Sequence, residues 1–339
     1  MKAYWRFRAA AVISLALASL PAGAAGAAGV QQIELVRPEG ARHYLLQLPQ
    51  ILAAEGRVWP MVILLHGHGG SAAQLMGTER SVAPMSVWRQ LAVREGLIIV
   101  APDGLRGSDG LPGWNDCRDD AIGNPDSDDV GFVDASIERE IAQDHADPGR
   151  IYAMGMSNGG VFVYRLAAQA KHPLAGFAAV SASMPAASRC AAPTRPTSAL
   201  VIGGTADPLM PYAGGEIHLF TQTSRGKVIG AEATAAAWRR IDGLLDPPAH
   251  SERIEHVDPQ DRTQATRTEW GADRAGLQVE LLRIEGGGHV EPSRSQRYGR
   301  LYLSFVGAQS GDVEVAEEAW AFFKPKHLTR EYDDRNINP

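Results

Sequence analysis

The chain has 339 residues, 45% hydrophobic and 21% charged, with a formal net charge of −6. That size and balance suit one large globular domain, or at most two. With no basic stripe or tail, nothing favours nucleic acid as a partner, and no internal repeat has the period of a solenoid or propeller.

The N-terminus reads as a signal peptide over residues 1–24. Lys2, Arg6 and Arg8 form a positive region, residues 9–20 an apolar run, and Pro21-Ala22-Gly23-Ala24-Ala25 a small-residue cleavage site. The apolar run is shorter than the roughly 20 residues that span a bilayer. An exported protein is expected, periplasmic or secreted, with no stable membrane insertion after cleavage; an uncleaved anchor is the alternative. Residues 25–339 then form the catalytic domain.

Residues 31–37 and 42–48 are predicted as paired antiparallel strands, and the apolar run 61–65 as a buried parallel strand. The latter ends in His66-Gly67-His68-Gly69-Gly70-Ser71. Residues 85–94 have helical spacing, closed by Gly96, and 97–101 form the next strand. The long polar segment 102–128 implies function or an added substructure. Asp128 or Asp129 caps a helix running to about residue 144. A strand over 151–155 feeds a helix carrying Phe162 and Leu166. Strands follow at 176–181 and 199–202, then a helix at 232–241. Residues 249–276 read as a polar insertion containing one strand, 266–270. The last core strand spans 277–284, and a helix over 313–323 presents Trp320 and Phe323 on its apolar face. This alternation predicts an α/β fold, a mainly parallel sheet with helices on both faces. Chemistry in such sheets gathers at the carboxyl ends of the strands.

Gly155-Met156-Ser157-Asn158-Gly159 lies between a predicted strand and helix, the context of a nucleophile elbow, which places Ser157 as nucleophile. His289, in Gly286-Gly287-Gly288-His289 after the last strand, is its candidate base, and Asp207, in Gly204-Thr205-Ala206-Asp207-Pro208, the acceptor that fixes the imidazole tautomer. The order Ser, Asp, His is that of α/β-hydrolases. The expected oxyanion donors are the amides of Asn158 and His68, with Gly67 the fallback. No metal is expected: His66 and His68 are two apart but lack a third ligand. The acidic run Asp116, Asp119, Asp120, Asp126, Asp128 and Asp129 does not match an EF-hand and reads as solvated charge and helix capping.

Together, Leu65-His66-Gly67-His68-Gly69-Gly70-Ser71, Gly113-Trp114-Asn115, Asp129-Val130-Gly131-Phe132-Val133-Asp134, the elbow, Gly204-Thr205-Ala206-Asp207-Pro208 and Gly287-Gly288-His289 resemble one family. It is the secreted polyhydroxybutyrate depolymerase / feruloyl esterase family (LpqC type) of α/β-hydrolases, with the resemblance spanning about residues 40–325. The resemblance implies hydrolysis of small or oligomeric carboxylic esters through an acyl-enzyme, without a metal or organic cofactor. Members often carry a tryptophan soon after the catalytic histidine; here Val290-Glu291-Pro292 follows. The segment 110–128 should lie over the sheet edge, with Trp114 contacting substrate or anchoring the loop by packing. Export makes a Cys117–Cys190 disulfide the expectation, with two separate buried thiols the alternative. A serine peptidase on the same scaffold and a non-catalytic hydrolase-derived binding protein are the competing functions. Oligomeric state, acyl group and leaving alcohol are not written in the sequence.

Overall fold

The computed structural model describes residues 29–50, 56–218 and 225–328. The expected signal peptide lies outside the described residues. In chain order the first strands are β1 (Gln31–Arg37), β2 (Gly40–Gln47), β3 (Trp59–Leu65), β4 (Ile98–Pro102), β5 (Leu105–Arg106), β6 (Pro112–Gly113) and β7 (Ala146–Met156). They are followed by β8 (Gly176–Val180), β9 (Ser198–Gly204), β10 (Gly214–Glu216), β11 (Lys227–Ile229), β12 (His250–Arg253), β13 (Gln264–Trp270) and β14 (Val279–Glu285). The helices are α1 (Ala72–Leu75), α2 (Trp88–Glu95), α3 (Asp129–Asp144), α4 (Asn158–Gln169), α5 (Ala231–Ile241), α6 (Arg300–Val306) and α7 (Val315–Phe323). Among the described residues, no helix is long and apolar enough to cross a membrane.

Ten strands form one sheet in the order β1-β2-β4-β3-β7-β8-β9-β14-β13-β12. The six from β4 to β14 run parallel, and antiparallel strands extend both edges. Both faces are covered, which is why β3 reads as an unbroken apolar run. Met61, Ile63 and Leu65 join the core beneath α3, α4 and α5. Val62 and Leu64 point the other way, into the core shared with α1, α2 and α7.

Besides the short α1, β5, β6, β10 and β11, which the pattern does not mark, three regions differ from expectation. The helix predicted over 85–94 is a 3-10 turn, Pro84–Val87, running into α2; Pro84 suits a first turn, where its missing N–H costs nothing. The span 249–276 is no separate insertion, because β12 and β13 pair antiparallel onto β14 and widen the main sheet. Helix α6 was not anticipated: it exposes Leu301, Tyr302 and Phe305 and buries Val306, so its apolar residues do not trace a core-facing stripe.

Candidate active site

The carboxyl ends of β3, β7, β9 and β14 deliver the loops that carry His66 to Gly70, Ser157, Asp207 and His289 respectively. Ser157 sits between β7 and α4 with φ 54° and ψ −121°, a left-handed conformation rare for a residue with a side chain. Its amide donates to the Val180 carbonyl at 2.9 Å, and its carbonyl accepts from Val161 at 2.8 Å. The flanking glycines are required by close approach. A Cβ on Gly155 would lie 2.3 Å from the Gly159 carbonyl oxygen, and one on Gly159 2.4 Å from that of His66.

His289 reaches Ser157 from the opposite side. Its Nδ1 donates to Asp207 Oδ2 at 2.7 Å, so its Nε2 is the acceptor for Ser157 Oγ at 2.9 Å. The other Asp207 oxygen, Oδ1, accepts from the Leu209 and Met210 amides at 2.8 Å each. One carboxylate thus builds its own Asp-Pro turn and holds the imidazole. The three side chains come from three loops and form a continuous hydrogen-bonded chain. The His289 amide is held by the Val306 carbonyl at 2.6 Å; a Cβ on Gly288 would lie 2.2 Å from that same oxygen.

Asn158 opens α4, and its amide and that of His68 have no acceptor among the described residues. The Asn158 side chain is clamped: Oδ1 accepts from the Trp114 amide at 2.7 Å, and Nδ2 donates to the Trp114 carbonyl at 3.1 Å and to Asp116 Oδ2 at 2.7 Å. Asp116 in turn takes Arg118 Nη2 at 2.6 Å and Asn124 Nδ2 at 2.9 Å. Trp114 is no pocket wall, which corrects its expected substrate contact. It is fully buried, stacks on Phe162 with ring centroids 5.3 Å apart, and donates its indole N–H to the His66 carbonyl at 2.8 Å. It packs as the anchor tying the His66–Gly70 loop to the start of α4.

The His68 ring is fixed as well. Arg225 Nη2 donates to its Nδ1 at 2.8 Å, leaving the proton on Nε2, which faces Asp109 Oδ2 at 2.9 Å. Burial, then the Arg225 guanidinium, pushes the His68 imidazole below its usual range, opposed by Asp109. His66 uses both nitrogens internally: Nε2 accepts from the Gly104 amide at 3.0 Å and Nδ1 lies 2.7 Å from the Gly67 carbonyl. The acidic run is not merely solvated. Asp128 caps α3 through the Gly131 amide at 3.0 Å, but Asp116 and Asp129 are buried, and Asp129 pairs with buried Arg42 at 2.7 Å. A disulfide joins Cys117 to Cys190 across a Cα–Cα distance of 5.7 Å, securing the loop that carries Trp114 and Asp116.

Ser157 opens onto two recesses. One is a cleft of about 310 Å³ walled by Met156, Leu75, Glu291, Tyr298 and Tyr302. The other, smaller, is walled by Leu209, Met210, Ile217, Arg118 and Arg225. Sequence reasoning flagged Glu291, read Asp116 only as part of a solvated acidic run, and missed Asp109, Arg225 and the tyrosines. No local pattern marks Asp109 and Arg225, which pair across 116 residues, or the Asp116–Asn158 contact across 42.

A family model described as phospholipase/carboxylesterase matches residues 46–227, which include Ser157 and Asp207. NocK of Nocardia uniformis subsp. tsuyamanensis, an esterase by name, is 30% identical over 79% of this chain and 74% of its own length. Feruloyl esterase B of Piromyces equi is 28% identical over 68% of this chain, which spans 40% of that protein's length. Among solved structures, acetyl xylan esterase from Aspergillus awamori is similar over 81% of this chain and 98% of its own, at TM-score 0.51 and 14% identity, a likeness of fold alone. The resemblance read from the motifs thus recurs among relatives named as esterases. This chain belongs to the phospholipase/carboxylesterase family of α/β-hydrolases and is a serine esterase.

Proposed function

We propose that this chain is an exported hydrolase that cleaves hydroxycinnamoyl-type esters through an acyl-enzyme on Ser157. The observation that carries the mechanism is the relay from Asp207 through His289 to Ser157, at 2.7 and 2.9 Å. His289 Nε2 takes the Ser157 proton as Oγ attacks the ester carbonyl carbon. The amides of His68 and Asn158 stabilise the oxyanion, each donor worth about 3 kcal/mol of barrier. Collapse breaks the bond to the alcohol oxygen, which leaves with the proton from His289. Water then attacks the acyl-enzyme, its proton passing to His289 and on to Ser157 as the acid is released.

An aromatic acyl group is favoured by Tyr298 and Tyr302 in the larger cleft and by the feruloyl esterases among the relatives. The motif set favours a second substrate, a hydroxybutyrate oligomer. Export rests on the positive, apolar and small-residue sequence of the first 25 residues; the purified exported protein should begin at Ala25.

The test is hydrolysis of methyl ferulate, a soluble hydroxybutyrate oligomer, a p-nitrophenyl ester and a peptide panel. Ester cleavage that falls by at least about three orders of magnitude in kcat in Ser157→Ala is expected. Undiminished turnover by that variant, or preference for peptides, rejects the proposal.

A further inference from the structure

The larger cleft beside Ser157 contains one carboxyl, Glu291, and no arginine or lysine lines it. Glu291 is 3% exposed. Among the described residues it makes no ion pair. Its side-chain partner is Tyr298, whose hydroxyl donates to Oε2 at 3.3 Å, a long hydrogen bond. Burying a carboxyl without a cation is costly unless hydrogen bonds replace the lost water, and its own amide with one long bond from Tyr298 replaces only part of it.

The pair is nevertheless held in place. Gln309 bridges the two backbones, its Nε2 donating to the Glu291 carbonyl at 2.9 Å and its Oε1 accepting from the Tyr298 amide at 2.9 Å. Tyr302 packs on Tyr298 with ring centroids 4.6 Å apart. Glu291 follows His289 by two residues, so the loop that sets the base also sets this carboxyl. A fixed, buried, under-partnered acceptor in a substrate-sized cleft is arranged to meet a donor that the protein does not supply.

We propose that Glu291 and Tyr298 form a hydroxyl-reading subsite, which accepts a hydrogen bond from a hydroxyl carried by the ester and excludes esters bearing a carboxylate on that side. This rests on the serine esterase mechanism proposed above and adds to it a residue that selects among esters. Burial raises the Glu291 carboxyl, while its own amide, Tyr298 and His289 pull the other way. An oxygen is left to accept in either protonation state, whereas the exclusion of carboxylates belongs to the ionised form. A structural role for the pair predicts lower thermal stability with no change in selectivity. An electrostatic role toward His289 predicts equal losses on every ester.

The experiment compares kcat/KM on matched esters: methyl 4-hydroxycinnamate against methyl cinnamate, ethyl 3-hydroxybutyrate against ethyl butyrate, and monomethyl succinate as the anionic member. Wild type, Glu291→Leu, Glu291→Gln and Tyr298→Phe are measured, with melting temperatures alongside. For at least one pair, wild type should prefer the hydroxylated ester by about tenfold to a hundredfold, the worth of one hydrogen bond to a charged or buried acceptor. Glu291→Leu should bring that ratio to about one. Glu291→Gln, which keeps a carbonyl acceptor, should retain part of the preference and hydrolyse monomethyl succinate at least about fivefold better than wild type. A ratio near one in wild type, an unchanged ratio in both Glu291 variants, or a fall shared by all esters overturns the subsite. Hydrolysis of no ester by wild type would instead overturn the esterase mechanism beneath it.

Discussion

Asp116 lies behind Asn158, whose amide is the proposed oxyanion donor, and the position of that amide depends on it. Its Oδ2 accepts from Asn158 Nδ2 and Arg118 Nη2 at 2.7 and 2.6 Å, and Asn158 supplies the amide next to Ser157. Asp116→Asn keeps the shape but sets an N–H against one of those donors. Misplacing a catalytic donor by an ångström can cost about 10²-fold. A kcat at least tenfold lower, with KM within about threefold, is expected from steady-state kinetics on a p-nitrophenyl ester; an unchanged kcat would show that Trp114 alone holds the clamp. Ser157, Asp207 and His289 were legible because each follows a strand in a local glycine-rich motif. Asp116 was not, since its partner Asn158 lies 42 residues away and an aspartate in a polar run looks solvated. Trp114 misled for a related reason. A tryptophan in a polar segment suggests a binding surface, and only the tertiary fold supplies Phe162 for its ring and the His66 carbonyl for its N–H.

The element that connects these residues is the segment between β4 and α3. Its length marks it in the sequence, and its place in the fold explains that length, because its middle braces the His66–Gly70 loop and the start of α4. The Cys117–Cys190 bridge closes a loop of sequence separation 73, and backbone hydrogen bonds reinforce it, Arg189 N to the Cys117 carbonyl at 2.9 Å among them. A loop of that length implies about 4 kcal/mol of stabilisation through the unfolded chain. The double variant Cys117→Ser, Cys190→Ser should therefore lose up to about 4 kcal/mol in urea unfolding; a loss below about 0.5 kcal/mol would assign the brace to hydrogen bonds alone. The parallel strands were legible as continuous apolar runs with both faces buried. The edge strand β12 was not, because all four of its residues are exposed and hydrophobic pattern has nothing to report there. Helix α6 hides for the opposite reason, turning Leu301 and Phe305 outward.

Among the described residues, several carboxyls are raised chiefly by burial, and this gives folding a pH dependence separate from that of catalysis. Asp242, at the end of α5, is the clearest. Burial pushes its pKa up from 3.8 to about 7, opposed by the Thr197 amide, which donates to Oδ1 at 2.9 Å; Oδ2 has no partner among the described residues. Glu140 and Glu280 are likewise raised to about 7, chiefly by burial. A carboxyl whose folded pKa is raised favours the folded state while protonated in both states. That contribution is complete below about pH 4, declines as the unfolded chain ionises, and is lost once pH passes about 7. For a shift of this size the difference is at most about 4 kcal/mol for a fully buried group. Urea unfolding should thus show wild type less stable at pH 8 than at pH 6. Asp242→Asn, which cannot ionise and keeps a carbonyl for Thr197, should be the more stable protein at pH 8 and flatten the slope between the two. Were the two proteins to keep the same difference at both pH values, Asp242 would not titrate on folding in this range. The slope would then belong to Glu140 and Glu280.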